Sequence, residues 1–126
     1  MRVLILISLL IILIITSATI SYFIISSLSR NLLDNLEKLE EHIILNQWSR
    51  ARTVNKDINK DWEKASSIFS LVIDHEHLQD LKITLTRISG LIPLEARYEL
   101  VVEIKIAKML VRSIKQDEKP VLKNIF

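Results

Sequence analysis

The chain opens on an uninterrupted apolar stretch and then changes to a repeating pattern of apolar and polar positions. Residues 3–25 contain no charged residue, no Gly and no Pro. A helix of these 23 residues is roughly 35 Å long at about 1.5 Å per residue, and the hydrocarbon core of a bilayer is about 30 Å thick. The stretch predicts a transmembrane helix, and we take residues 1–27 as a membrane anchor.

Two other interpretations of this stretch are weaker. A cleaved signal peptide could be cut after Thr16-Ser17-Ala18, but apolar residues resume at Ile20. Signal peptides also have a shorter apolar core of about 7–15 residues. A buried helix of a soluble protein would have to be covered on all sides, and roughly 100 remaining residues could hardly do so. A retained anchor is therefore expected.

The basic residues beside the stretch bear on its orientation. Arg2 and the amino terminus precede it, whereas Arg30 and Lys38 follow it among acidic residues. Lys and Arg close to a membrane span favour the cytoplasmic side. The charges of the short leading segment lie directly at the membrane edge. We expect a single-pass protein of the cell membrane with a cytoplasmic N-terminus and the remaining domain outside.

After the anchor, apolar residues recur at steps of three and four, which places them on one face of a helix. Four such runs follow one another: Leu32, Leu36, Leu39 and Ile43; Trp48, Ala51, Ile58, Trp62, Ala65, Phe69 and Val72; Leu78, Leu81, Leu85, Ile88 and Ile92; and Leu100, Ile104, Ala107, Val111 and Ile114. One narrow apolar seam per helix is typical of packing around a common core. The pattern predicts an all-α fold, in which a small antiparallel up-and-down bundle of about four helices occupies residues 28–119.

The few helix-breaking residues suggest where these helices end. Asn46 can end the first of them, Asp74 can cap the third, and Gly90 and Pro93 suit a C-terminal stop and a first helical turn. We therefore expect helices near 28–46, 47–73, 76–91 and 93–116. Nothing breaks the chain between the anchor and the first helix, so the two are expected to be continuous. Residues 120–126 form an apolar tail that is too short for a helix of its own.

Charge and composition exclude several function classes. The sequence has 17 Lys and Arg and 15 Asp and Glu, and Arg2 is one of the basic residues. The part after the anchor is nearly neutral, so nucleic-acid binding through bulk positive charge is not expected. The chain has no Cys and one Gly, which argues against Cys-ligated metals and Gly-rich phosphate loops. No catalytic motif stands out, and we expect neither catalytic residues nor a cofactor.

The segment from Asp74 to His77 is the one cluster whose residue types could support chemistry. Carboxylates and imidazoles ligate zinc, and a His beside a carboxylate can transfer protons. On a helix, residues two apart point about 200° from each other, so His75 and His77 converge only if the segment is a turn. The other interpretation is a polar turn in which Asp74 caps the next helix. We expect the polar turn and keep Asp74, His75 and His77 as candidate metal or acid–base residues.

The two tryptophans are the most conspicuous side chains of the second helix. Trp48 and Trp62 are two heptads apart and therefore share a helix face, about 21 Å from each other. A small residue, Ala51 or Ala65, follows each by three positions and lets a neighbouring helix approach. Core packing is expected, and a groove that presents the indole rings to a partner is the alternative.

Basic residues form rows on two of the predicted helices. One row comprises Arg52, Lys56, Lys60 and Lys64, and the other comprises Lys105, Lys108, Arg112 and Lys115. Neighbouring acidic residues offset much of the positive charge of the first row. The second row could face Asp34, Glu37 and Glu41 of the first helix and so determine which helices are neighbours. Contact with anionic lipid headgroups is the alternative role of these rows.

Several short motifs, taken in order, resemble a known family. They are Trp48-x-x-Ala51, Trp62-x-Lys64, Ile73-Asp74-His75 with Leu78, Leu85-x-Arg87, and the terminal Asn124-Ile125-Phe126. With the single span, they resemble the domain-of-unknown-function family 4363, small membrane proteins of spore-forming Firmicutes. The resemblance implies a bacterial cell membrane and one anchor helix with a small helical domain. It implies no activity, but it draws attention to His75 and to the C-terminal tail.

We therefore expect a non-enzymatic, membrane-anchored module that binds another protein, itself a membrane protein. The candidate interaction residues are Trp48, Trp62, His75, Asn124, Ile125 and Phe126. The alternative is a metal-binding or acid–base site in the segment 74–77.

Overall fold

The computed structural model describes the backbone of residues 1–125 and the side chains of residues 1–114. This part of the chain contains four helices and no strand. The helices are α1 (Arg2–Ile44), α2 (Trp48–Phe69), α3 (His75–Leu91) and α4 (Arg97–Ile125). The predicted all-α class is confirmed.

Helix α1 joins the apolar stretch and the first bundle helix without a break, as predicted. It has 43 residues and is therefore roughly 64 Å long at about 1.5 Å per residue. Its N-terminal part is long and apolar enough to cross a membrane, and none of that window is buried by the rest of the protein. Ile25 is the first buried residue of α1, so the bundle begins at that level.

Two hydroxyl groups within the apolar part of α1 are satisfied by the helix itself. Ser8 Oγ donates a hydrogen bond to the carbonyl of Leu4, and Thr19 Oγ1 donates one to the carbonyl of Ile15, both at 2.8 Å. A lipid surrounding offers no water to such groups, so bonding to the preceding turn removes most of the cost of placing them there.

The four helices form an up-and-down ring around one core, which confirms the predicted bundle. α1 packs against α2 and α4, and α3 packs against α4. In the described part of the chain, the diagonal pairs α1–α3 and α2–α4 do not approach each other. The four apolar runs of the sequence meet in a single buried cluster that includes Leu36, Ile58, Phe69 and Ile104. Val72, predicted as the last residue of the second run, is the exception, because it lies beyond the end of α2 and is exposed. Each run supplies its own helix with one buried face.

The turn between α1 and α2 is closed by Asn46, as the sequence predicts. Asn46 adopts a positive φ of 57°, a conformation that Asn tolerates better than most residues. Its N–H bonds the carbonyl of Ile43 at 3.1 Å, and the N–H of Gln47 bonds the carbonyl of His42 at 2.8 Å. This pair of bonds is the Schellman motif, which satisfies the last carbonyls of the helix.

The turn between α3 and α4 differs from the prediction. α3 ends at Leu91, as the predicted range 76–91 requires, but Gly90 lies inside the helix without a positive φ and is not the residue that stops it. The left-handed residue is instead Glu95, with φ of 50°, and the N–H of Ala96 closes the turn on the carbonyl of Leu91. Pro93 lies within the turn, and α4 begins at Arg97 rather than at residue 93. The apolar residue Ile92 is buried, and this burial keeps the chain helical past the glycine.

Two other boundaries also differ from the prediction. α2 ends at Phe69, not near residue 73, because residues 70–73 turn back toward α3. α4 runs on to Ile125 instead of ending near residue 116, so residues 120–125 continue this helix and are not a separate tail. These residues extend an existing helix, which avoids the unfavourable nucleation step that a separate short helix would need.

Candidate functional site

Helices α2 and α3 are the loosest adjacent pair of the ring, and a groove of about 670 Å³ opens between them. Its lining comes from both helices and from the residue that follows α2. It consists of Asn59, Trp62, Glu63 and Ser66 of α2, Ser70 directly after α2, and His75, Leu78, Gln79, Lys82 and Thr86 of α3. Along α2 the lining extends over roughly 17 Å at about 1.5 Å per residue. The cleft is therefore elongated parallel to the helices.

Hydrogen bonds hold the two helices together at one end of the groove. Asn55 Nδ2 and Asn59 Nδ2 of α2 both donate to Ser89 Oγ of α3, at 3.3 and 3.2 Å. The short segment between Phe69 and His75 closes the other end. Between these two ends the facing positions include the small residues Ser66 and Ser70, which leave a gap because they cannot fill the space between two helices.

Trp62 forms the apolar part of the groove wall. It is half-buried, and its ring lies 6.5 Å from the ring of the fully buried Phe69 at a tilt of 58°. Trp48 is also half-buried against the core but does not line the groove. Core packing, the first expectation for both indoles, accounts for their inner faces. Trp62 in addition presents part of its ring to the groove, as the alternative interpretation requires.

His75 lies at the opposite wall of the groove, at the first residue of α3. Asp74 occupies the N-cap position with an extended backbone, but its side chain makes no capping hydrogen bond. Asp74 therefore lies at the predicted N-cap position, but its side chain does not make the hydrogen bond expected of a capping residue. His77 is half-buried in the same helical turn. Because His75 and His77 are two positions apart on a helix, their rings diverge.

The segment 74–77 thus does not bring its potential ligands to one point. In the described part of the chain, no group of three or more His, Asp or Glu side chains is arranged to hold a metal ion. The structure brings together two of the predicted interaction residues, Trp62 and His75, across one groove. Of the other candidates, the side chains of Asn124 and Ile125 and the whole of Phe126 lie outside the described residues.

A buried cation joins α1 and α4 on the side of the bundle away from the groove. Lys108 Nζ lies 2.7 Å from Glu40 Oε2 and 3.2 Å from Glu37 Oε2. Burial lowers the pKa of Lys108, but the hydrogen bonds and charges of Glu40 and Glu37 outweigh this, so its pKa is raised above the ordinary 10.5. The sequence predicted that the row containing Lys108 faces Glu37.

Some of the polar contacts were not anticipated from the sequence. Glu40, the closest partner of Lys108, was not expected from the sequence. It lies one residue before Glu41 and therefore outside the acidic row of Asp34, Glu37 and Glu41 that the heptad spacing indicated. The pair of amides that bond Ser89 was missed as well, although Asn55 and Asn59 are four residues apart and hence share a face. Asn55 is a polar residue within the predicted apolar seam of α2, and this feature of the sequence could have indicated a polar contact between helices.

Two features define the class of this protein. Its first helix is long and apolar enough to cross a membrane, and this helix continues into a four-helix bundle that is open on one side. Residues 19–125 match the family model "Domain of unknown function (DUF4363)", and the chain belongs to this family. The match begins within the apolar part of α1 and therefore includes the passage from this part into the bundle. No curated protein and no solved structure matches the chain.

Proposed function

We propose that this protein is a non-enzymatic accessory module of the bacterial cell membrane, which binds a helix of another membrane protein in the groove between α2 and α3. The N-terminal part of α1 anchors it, with the N-terminus in the cytoplasm and the bundle outside. The observation that carries the proposal is the opening of the helical ring between α2 and α3, where Trp62 and His75 face the same cleft.

The shape of the groove supports a helix as the occupant. Because the cleft is elongated parallel to α2 and α3, a third helix can lie along it and complete the packing that the two helices do not make with each other. Such helix-in-groove binding uses apolar anchors at helical spacing. Trp62 supplies the main apolar contact, and Leu78 on the opposite wall is only 7% exposed and adds little. A large aromatic ring is the residue type that most often dominates binding energy.

The chemistry of the groove describes the partner further. Amide and hydroxyl groups from Asn59, Gln79 and Thr86 line it beside the charged side chains of Glu63 and Lys82. A wholly apolar helix would leave these groups without hydrogen bonds, which is unfavourable. The partner helix is therefore amphipathic, with an apolar stripe toward Trp62 and polar residues on its flanks.

Photocrosslinking in intact cells tests the proposal. A benzoylphenylalanine at Gln79, an exposed position in the groove, should form a discrete adduct with a protein that has its own membrane span. The matched control is the same residue at Lys105, which is exposed on α4 outside the groove. The added substitution Lys82→Glu, also exposed, should weaken the Gln79 adduct several-fold by reversing a charge in the groove. No adduct at Gln79, or the same adduct at both positions, would contradict the proposal.

The topology has a separate test, because the chain contains no native Cys. A single Leu94→Cys substitution places a thiol at an exposed position of the turn between α3 and α4. A membrane-impermeant maleimide should label it in intact cells. Labelling only after the cells are broken would reverse the proposed orientation. An intact mass that includes residues 1–18 would exclude cleavage after Ala18.

A further inference from the structure

We propose that the turn between α2 and α3 is a second membrane contact, in which Ile68, Leu71 and Val72 insert into the surface of the same bilayer that α1 crosses. The proposal rests on the membrane anchor of the proposed function but not on the groove. Leu71 is 82% exposed, Val72 51% and Ile68 37%. The three apolar side chains lie at or beside the end of α2, where the bundle itself does not cover them.

The height of this turn relative to α1, along the direction of the helix axes, follows from one cross-helix hydrogen bond. Asn35 Nδ2 of α1 donates to Asp61 Oδ2 of α2 at 2.8 Å, which sets these positions level with each other. The two helices are antiparallel, so α2 runs toward the membrane as α1 runs away from it. Ile25 is ten residues before Asn35, and Leu71 is ten residues after Asp61. The step in α1 corresponds to about 15 Å, and the helical part of the step in α2, from Asp61 to Phe69, corresponds to about 12 Å. Leu71 lies in the turn that follows and is therefore within about one helical turn of the level of Ile25.

The level of Ile25 is where the membrane surface is expected on independent grounds. The exposed apolar part of α1 ends there, because Ile25 is its first buried residue. Tyr22 and Phe23 pack edge to face with their ring centres 6.1 Å apart, and aromatic residues are enriched at membrane interfaces. Arg30, exposed a little above, is the first charged residue of α1 after Arg2. An apolar turn at the same height meets lipid rather than water.

The acidic residues after the turn limit how deep it can insert. Asp74 and Glu76 are both exposed, and a carboxylate is costly below the headgroup region. We infer a shallow contact in which the apolar turn reaches the acyl boundary and the start of α3 stays among the headgroups.

A second contact would hold the bundle upright on the membrane. The end of the groove near Ser70 and His75, which the turn closes, would then lie directly above the bilayer. A partner helix that emerges from the same membrane beside this turn could lie along the open side of the groove.

Spin labelling of the full chain in phosphatidylcholine vesicles with a minor share of phosphatidylglycerol tests this contact. Nitroxides are attached at Leu71→Cys, at Leu94→Cys in the opposite turn, which is 73% exposed, and at Leu10→Cys in the span. Oxygen partitions into lipid and a nickel complex stays in water. The ratio of oxygen to nickel collisions at Leu71 should be several-fold higher than at Leu94 and closer to that at Leu10.

The outcomes separate this inference from the anchor on which it rests. A Leu71 label as accessible to nickel as the Leu94 label overturns the second contact alone, provided that the Leu10 label reports lipid. A Leu10 label in water would instead overturn the anchor. In a second measurement, Leu71→Asp should move a label at Val72 into water without changing the melting temperature, because Leu71 is not part of the core. An unchanged Val72 label would also contradict the proposal.

Discussion

Lys108 Nζ on α4 lies 2.7 Å from Glu40 Oε2 on α1, and both side chains are more than four-fifths buried. Glu37 contributes a second, more exposed carboxylate at 3.2 Å. The contact joins the first and the last helix of the ring. A lysine buried at this position finds its charge partners only when α1 and α4 are neighbours, so the contact disfavours other arrangements of the helices.

Replacing Lys108 by Ala should destabilise the bundle by about 1–3 kcal/mol, because Glu40 would remain largely buried without its partner. Lys105→Ala is the matched control: the same side chain is removed from the same helix at an exposed position, with an expected change within about 0.5 kcal/mol. Urea unfolding of the full chain in mild detergent, followed by circular dichroism, measures both. Equal effects of the two substitutions would show that the ion pair adds nothing.

The same ion pair predicts a pH dependence. Because the pKa of Lys108 is raised above 10.5 in the folded protein, its stabilising contribution is complete below pH 10.5. It is lost as the pH rises from there through the folded-state pKa. The difference in stability between the wild-type protein and Lys108→Met should be constant from neutral to mildly alkaline pH and shrink only above that value. A difference that already declines near neutral pH would contradict the raised pKa.

Gly90→Ala should stabilise the protein by about 0.5–1 kcal/mol, since Gly in a helix costs conformational entropy that Ala does not. Gly90 has no positive φ, and a Cβ at this position would meet nothing within 4 Å. Thermal unfolding in detergent checks the direction. If Gly90 were a left-handed stop of α3, as its place in the sequence suggests, the substitution would lower the melting temperature instead.

Ser89→Ala should cost about 0.5–1.5 kcal/mol, because it removes the acceptor shared by Asn55 and Asn59. In a double-mutant cycle, Asn59→Ala should cost less in the Ser89→Ala background than in the wild-type protein. Strict additivity of the two substitutions would mean that the bond does not hold the end of the groove. Thr86→Ala, at an exposed groove position of the same helix, serves as the control.

Zinc should neither bind the purified chain at stoichiometric amounts nor raise its melting temperature. His75 and His77 diverge on α3, and no three-ligand arrangement exists among the described residues. Metal analysis after dialysis and melting with added zinc measure this. A zinc-dependent rise in melting temperature that His75→Ala abolishes would instead support the metal-binding alternative.

The buried faces of the four helices follow from the sequence alone. Spacing of three and four, together with the shortage of Gly and Pro, sufficed for the all-α class and the up-and-down ring. It also sufficed for the uninterrupted α1 and for the end of that helix at Asn46, because these features depend on local periodicity and local backbone preference. The end of α3 at residue 91 was predicted as well, but Gly90 is not the residue that makes the stop, because the left-handed conformation is adopted by Glu95.

How these faces meet depends on the tertiary structure. Heptad spacing leaves the axial register of two antiparallel helices open, so it could indicate that Lys108 faces α1 but not that Glu40 is its nearest partner. For the same reason the sequence singled out Trp62 and His75 separately and could not show that they line one groove. The gap between α2 and α3 and the height of Leu71 are properties of helix pairs. They depend on cross-helix contacts, such as the one between Asn35 and Asp61, that join residues distant in the chain.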